Sequence, residues 1–272
     1  ARPLSHLLRN NAHHAKSQLD EVIKILADWN PSPTLCFDNP WDLLSKILRH
    51  RLSETEGIIP IAEKAFGLRP GDELLRFRGD IQALPNPVAF FTRADLWGRA
   101  RLMAWPAANV HGDFHCNNVI SPLVEGLGQQ PTIIDFSRYE PDGLMFVDFA
   151  YLEFSILVEI MQTNTDNLRE QWLTVDKVLS KSVPLNKLPG GPAALAARDL
   201  VFPLRVRVAN IIDEFNRRDD FTAIFWLAGV AAGLNFFCEL EDEFERKAAL
   251  LFAAHRLQAL LAWISTENHS PK

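Results

Sequence analysis

The stretch Val110-His111-Gly112-Asp113-Phe114-His115-Cys116-Asn117-Asn118-Val119-Ile120, followed after a loop by Thr132-Ile133-Ile134-Asp135-Phe136, decides how this sequence folds. Asn118-Val119-Ile120-Ser121 and Thr132-Ile133-Ile134-Asp135 are short β-branched runs separated by a connection containing glycine and proline, the pattern of a hairpin with a long loop. Antiparallel pairing of 119–121 with 132–134 would set Asn118, at the start of one strand, beside Asp135, at the end of the other. Phosphoryl transfer to a hydroxyl needs a carboxylate that orients the nucleophile and accepts its proton, and oxygen ligands that hold magnesium against nucleotide phosphates. Asp113 and Asn118, five positions apart, supply one of each from a single loop, and Asp135, seventeen positions beyond Asn118, adds the second oxygen ligand.

The spacing of His111, Asp113 and Asn118 resembles the catalytic loop of protein kinases, and Asp135 stands where their magnesium aspartate stands, with Ser137 in place of the following glycine. More specifically, His111-Gly112-Asp113-Phe114-His115-Cys116-Asn117-Asn118 followed by Ile134-Asp135-Phe136 resembles the Brenner-type signature of the aminoglycoside phosphotransferase and choline kinase superfamily. That resemblance implies Asp113 as catalytic base, Asn118 and Asp135 as the residues binding Mg2+ and, through it, ATP or GTP, and Asp148 with His111 as braces of the loop. His115 is a further candidate for contact with phosphate or substrate. The runs 135–138 and 148–153 also resemble phosphotransferase-like domains of bacterial multidomain conflict systems. The match covers roughly residues 105 to 160.

The acceptor is expected to be the hydroxyl of a small molecule. Only twelve residues separate Asp135 from Asp148, too few for the activation segment and anchor of a protein kinase. Trp41, Trp97, Trp105 and Glu153 are candidates to line its pocket, although a salt bridge would equally explain Glu153. A kinase also needs a β-rich lobe with a phosphate-covering loop and a lysine. Upstream of His111 the glycines are isolated, and Lys16, Lys24, Lys46 and Lys64 fall in helical stretches, so that lobe is expected upstream in the same parent protein. Two hydrolase readings use the same residues. Gly112-Asp113-Phe114-His115 resembles the first metal motif of calcineurin-like phosphoesterases, whose later motifs are absent, and a zinc site would need His111, Asp113 and His115. A kinase-fold scaffold without activity is the third alternative.

The remaining sequence is read as helical: residues 4–29, a helix near Trp41 capped by Asn39 with Pro40 in its first turn, 58–66, a stretch from the Pro85-Asn86-Pro87 break toward Met103, a buried helix after Asp148, and three more near 204–216, 221–239 and 242–264. Residues 183–192 are read as a loop. The expected fold is mainly α with a small β-hairpin, the helical lobe of a protein-kinase-like fold, in one unit: 1–105 helical, 106–160 catalytic loop, metal hairpin and central helix, 161–272 C-terminal helices.

A formal charge of -6, from 28 basic and 34 acidic residues without long blocks of one sign, points to neither nucleic acid nor an anionic membrane surface as partner. The longest uninterrupted apolar run, 223–234, is shorter than the roughly 18 residues that suggest a membrane span. Cys36, Cys116 and Cys238 are far apart, so a reducing, cytoplasmic setting is expected. With no covering lobe evident, Mg-ATP is expected to leave the melting temperature of the 272-residue chain nearly unchanged in a thermal-shift assay; a rise of several degrees would show tight binding.

Overall fold

The structure is a computed structural model that describes residues 1–51, 53, 57–76, 83–92, 102–122, 130–162, 192–215 and 218–267. In chain order its elements are β1 (Arg2–Pro3), α1 (Leu4–Asn10), α2 (Ala12–Asp28), β2 (Thr34–Asp38), α3 (Pro40–Leu48), α4 (Ile58–Phe66), β3 (Leu74–Leu75), β4 (Leu84–Pro85), α5 (Pro87–Thr92), β5 (Met103–Val110), β6 (Val119–Ser121), β7 (Thr132–Ile133), β8 (Glu140–Leu144), α6 (Phe146–Gln162), α7 (Pro192–Glu214), α8 (Arg218–Glu239) and α9 (Glu243–Glu267). The protein is mainly α-helical with small sheets.

Capping sets several of these boundaries. Asn39 Oδ1 accepts the Trp41 amide at 2.8 Å with Pro40 in the first turn, and α4 stops at Gly67, whose φ of 65° is left-handed. The helix expected over 4–29 is broken at Asn11, which leaves the helical region (φ -152°, ψ 78°) and uses its side chain to accept the His14 amide at 3.1 Å. His14 is buried. The stretch expected to be helical toward Met103 forms α5 as far as Thr92, and residues 93–101 lie outside the described residues; Met103 opens β5, which pairs antiparallel with β2 from Thr34↔Ala107 to Asp38↔Met103. The alanines and Pro106 of β5 carry little intrinsic strand signal, so pairing with β2 decides its conformation. The loop expected over 183–192 lies outside the described residues up to Gly191, and Pro192 already opens α7.

Contacts divide the chain into two compact units, each assembled from two separate stretches of sequence. The linear pattern carries no sign of this partition. Unit 1 takes Ala1–Pro33 and Ala108–Phe215. Its centre is α6, apolar on every side, with Phe146, Phe149, Tyr151, Leu152, Phe154 and Ile156 fully buried. Each such side chain contributes about 1.5–3 kcal/mol. The polar groups on α6 are matched: Glu153 takes Nε and Nη2 of Arg205 on α7 at 3.0 and 2.5 Å, Ser155 Oγ accepts the Cys116 amide at 2.9 Å, and Glu159 pairs with Arg9 of α1. The salt-bridge explanation of Glu153 therefore holds. A three-stranded sheet, β1-β6-β7, sits in the same unit, with Arg2↔Ser121, Pro3↔Ile120, Val119↔Ile133 and Ile120↔Thr132 in register. The hairpin expected from the β-branched runs is present, and β1 beside it was not foreseen.

Unit 2 takes Thr34–Ala107 and Asn216–Lys272 and is built on the pair α8 and α9. These approach closely at Gly233, where a Cβ would lie 2.7 Å from the Ala249 carbonyl oxygen, and Arg256 covers the rings of Phe225 and Phe252. Two segments, Asp219–Glu239 and Glu243–Ser265, are long and apolar enough to cross a membrane by length and composition alone; 83% and 56% of their most apolar windows are buried inside the fold, the burial expected of core helices. In the same unit Trp41 Nε1 donates to the Phe91 carbonyl and Trp105 Nε1 to Asp38 Oδ2, each at 3.1 Å.

Arg205→Met should leave the buried Glu153 carboxylate without its guanidinium and cost about 3–5 kcal/mol in urea unfolding, while Glu153→Leu combined with Arg205→Met recovers most of that loss.

Candidate active site

The loop after β5 is anchored by Asp148, in the first turn of α6. Its two carboxylate oxygens accept consecutive backbone amides, Oδ2 from His111 at 2.7 Å and Oδ1 from Gly112 at 3.0 Å. Gly112 turns the chain with φ 78°, and a Cβ there would lie 2.4 Å from the Arg138 carbonyl oxygen. His111 is fully buried; its Nε2–H donates to the Ile134 carbonyl at 2.8 Å, and its Nδ1 accepts the Asp113 amide at 3.3 Å. One donor and one acceptor describe the neutral ring. Burial favours that form and lowers the His111 pKa, opposed by the Ile134 bond and by the charges of Asp113 and Asp135. The ring also meets Phe114 edge-on at 5.3 Å and Phe136 at 4.8 Å. Both nitrogens being engaged with backbone, His111 is a brace and not a proton carrier, and it cannot join His115 in a zinc ligand pair without breaking those bonds.

Asp113 and Asn118 are tied directly: Asn118 Nδ2 donates to the Asp113 carbonyl at 2.9 Å. The carbonyl demands an N–H there, so Oδ1 of Asn118 remains its acceptor oxygen. The backbone of Asn118 accepts the Ile134 amide at 3.0 Å, so Asn118 faces Ile134, the residue before Asp135, in a register one residue short of the expected Asn118–Asp135 pairing. His115 stands half-buried before the 3-10 turn Cys116–Asn118, its Nδ1 accepting the Asn117 amide at 3.3 Å.

Asp135 is exposed and, among the described residues, the one non-glycine with positive φ (60°). Its Oδ1 accepts both the Ser137 hydroxyl, at 2.7 Å, and the Ser137 amide, at 3.4 Å. Those two bonds, foremost the hydroxyl, hold its carboxyl below the usual range, with smaller help from His111 and His115. The 3-10 turn Phe136–Arg138 then carries Arg138 back, placing Nη1 3.7 Å from Asp113 Oδ1. Among the described residues there is no cluster of three or more His, Cys, Asp or Glu suited to a metal. The oxygens of Asn118 and Asp135 are a sparser and harder set, the kind that suits magnesium, which binds few protein oxygens and keeps water and phosphate in its other positions.

The family model of ternary complex associated domain 9 matches residues 71–228, more than half of the 272-residue chain. The chain belongs to that family. No curated protein and no solved structure matches it. The span matched to ternary complex associated domain 9 contains the whole loop, the hairpin and α6, and leaves out α1 and α2.

The other sequence candidates have contacts of their own or lie outside the described residues. Glu153 is buried against Arg205, Trp41 and Trp105 make the contacts within unit 2 described above, and Trp97 lies outside the described residues. Cys116 is buried, its thiol pushed up to about 12 chiefly by burial, and serves packing. The sequence reading gave Arg138 and the Ser137 hydroxyl no role of their own. Both were in the quoted run, but their reach to Asp113 and Asp135 depends on the 3-10 turn.

Burial, opposed by the His111 and Gly112 amide bonds and reinforced by the Asp113 charge, pushes the Asp148 carboxyl up to about 7. A carboxyl raised in the folded chain favours the protonated form, so its contribution to stability is greatest near its ordinary pKa of 3.8 and declines as the pH rises to about 7. Asp148→Asn sets an NH2 group against a backbone donor and should cost about 1–3 kcal/mol. Because the variant lacks the decline, urea unfolding should show a larger loss at pH 5 than at pH 7.5. Gly112→Ala should cost at least about 1–3 kcal/mol from the left-handed backbone alone, measured the same way.

Proposed function

We propose that this chain is the catalytic lobe of a protein-kinase-like phosphotransferase that moves the γ-phosphate of ATP or GTP to a hydroxyl of a small molecule. The observation that supports this reading is the mutual bonding of the loop and hairpin, in which Asn118 bonds to Asp113 and to Ile134, the residue before Asp135. Asp113 orients the acceptor hydroxyl and takes its proton. Asn118 and Asp135 would hold magnesium, which would neutralise charge on the transferring phosphates. Arg138, beside Asp113, is placed to keep that carboxylate from swinging away. His115, half-buried before the turn Cys116–Asn118, is assigned to contact with phosphate or substrate.

A small acceptor is supported by what fills the interval from Asp135 to Asp148: the turn Phe136–Arg138 and strand β8 take up its length and leave no platform for a substrate peptide. The nucleotide-covering lobe is assigned to the parent protein. All three cysteines are free thiols, in keeping with a cytoplasmic setting.

A second reading is favoured by the family's description, which refers to association in a ternary complex. On it the lobe is a scaffold and the site is vestigial. Asp113→Asn separates the two: in the intact parent protein the phosphotransferase reading expects ATP turnover to fall roughly a hundred- to ten-thousandfold with an unchanged melting temperature. Unaltered turnover would favour the scaffold.

A further inference from the structure

We propose that Ser137 makes Asp135 a one-oxygen ligand and so biases the site toward Mg2+ and Mn2+ and against Ca2+; this rests on the phosphotransferase reading above. The Ser137 hydroxyl and amide both donate to the same carboxylate oxygen, Oδ1, at 2.7 and 3.4 Å. Asp135 sits in a left-handed conformation at the end of the hairpin, and the turn that follows returns the hydroxyl to it. A cation approaching this carboxylate meets one oxygen engaged by a hydroxyl proton and one, Oδ2, that takes no bond from Ser137.

The two cation classes respond differently to such a ligand. Magnesium requires near-octahedral geometry with short bonds to single oxygens, so a carboxylate fixed in one orientation through its second oxygen suits it. Calcium takes six to eight oxygens, commonly including both of one carboxylate. With Oδ1 engaged, that bidentate mode costs a hydrogen bond. The kinase pattern has glycine at this position, which has no hydroxyl to offer, so the device belongs to this chain's own residue. A capping role alone predicts a different outcome: loss of the hydroxyl would loosen the turn and weaken every cation alike.

The test is Mn2+ binding to the 272-residue chain by electron paramagnetic resonance, with Mg2+ and Ca2+ as competitors at half-saturating Mn2+, on wild type, Ser137→Ala, Ser137→Thr and Asp135→Asn. Ser137 is exposed, so its replacement leaves the core intact. Ser137→Ala is expected to weaken Mn2+ roughly ten- to hundredfold, as loss of a bond to a ligating carboxylate does, and to raise Ca2+ competition relative to Mg2+. Ser137→Thr keeps the hydroxyl and should restore the wild-type ratio. If Ser137→Ala weakens all three cations equally, or none, while Asp135→Asn abolishes binding, the selectivity role is wrong and the metal reading stands. If wild type binds no Mn2+, or Asp135→Asn binds as wild type does, both are overturned.

Discussion

One buried carboxylate positions everything that surrounds the candidate chemistry. Asp148 accepts the amides of His111 and Gly112, and two consecutive donors aimed at one carboxylate leave the loop a single direction of travel. Withdrawing either oxygen would strand a buried amide, at about 1–3 kcal/mol each. With the backbone so held, the His111 ring reaches the Ile134 carbonyl and locks the loop to the end of the hairpin. Gly112 is needed because the path passes against the Arg138 carbonyl in a left-handed turn.

The support behind this anchor is α6, which meets the loop twice: Asp148 at its start, and Ser155 two turns later under Cys116. A helix buried on all sides is a stiff base, and its polar groups are tolerated because each has a partner. The N-terminal segment adds a third restraint, since Ser5 Oγ donates to Asn117 Oδ1 at 2.5 Å, β1 pairs with β6, and Arg9 reaches Glu159. Removing α1 would therefore loosen the turn that presents Asn118.

What could be read from the residues follows from the range of the forces involved. The hairpin, the Asn39-Pro40 start, the Gly67 stop and the all-round burial of α6 are local or periodic signals, and each appears in the structure. That Asn118 lies across the hairpin from the segment leading into Asp135 was legible because strand pairing converts sequence distance into spatial distance, but the register itself is one residue off the expected one. Strands β1, β2 and β5 were not legible. Their residues have weak strand preference, and partners 65 to 119 positions away, such as Asp38↔Met103, Thr34↔Ala107 and Arg2↔Ser121, fix them. The break at Asn11 was hidden for the opposite reason: apolar positions continue on both sides, and only the capping bond to His14 marks it. Of the candidate site, the loop and the residues proposed to hold a metal were in the pattern, whereas Arg138 and the Ser137 hydroxyl acquire their contacts from a three-residue turn that no periodicity announces.

The economy of the site bears on which chemistry it suits. Transfer of a phosphoryl group through a loose transition state asks little covalent work of a protein and much accuracy of placement. Here each key side chain stands within one residue of a backbone group tied to a neighbouring element or turn: the Asp113 amide to His111 and its carbonyl to Asn118, the Asn118 carbonyl to Ile134, the Ser137 amide to Asp135. The side chain of Asp135 nevertheless remains at the surface. A fold using these residues only for stability would gain more by burying them against partners, as it does with Asp148, both of whose oxygens accept amides, in the same unit. Rigid backbone beneath an accessible carboxylate is what a ligand-binding site requires, and that contrast is the physical ground for preferring a working site to a vestigial one.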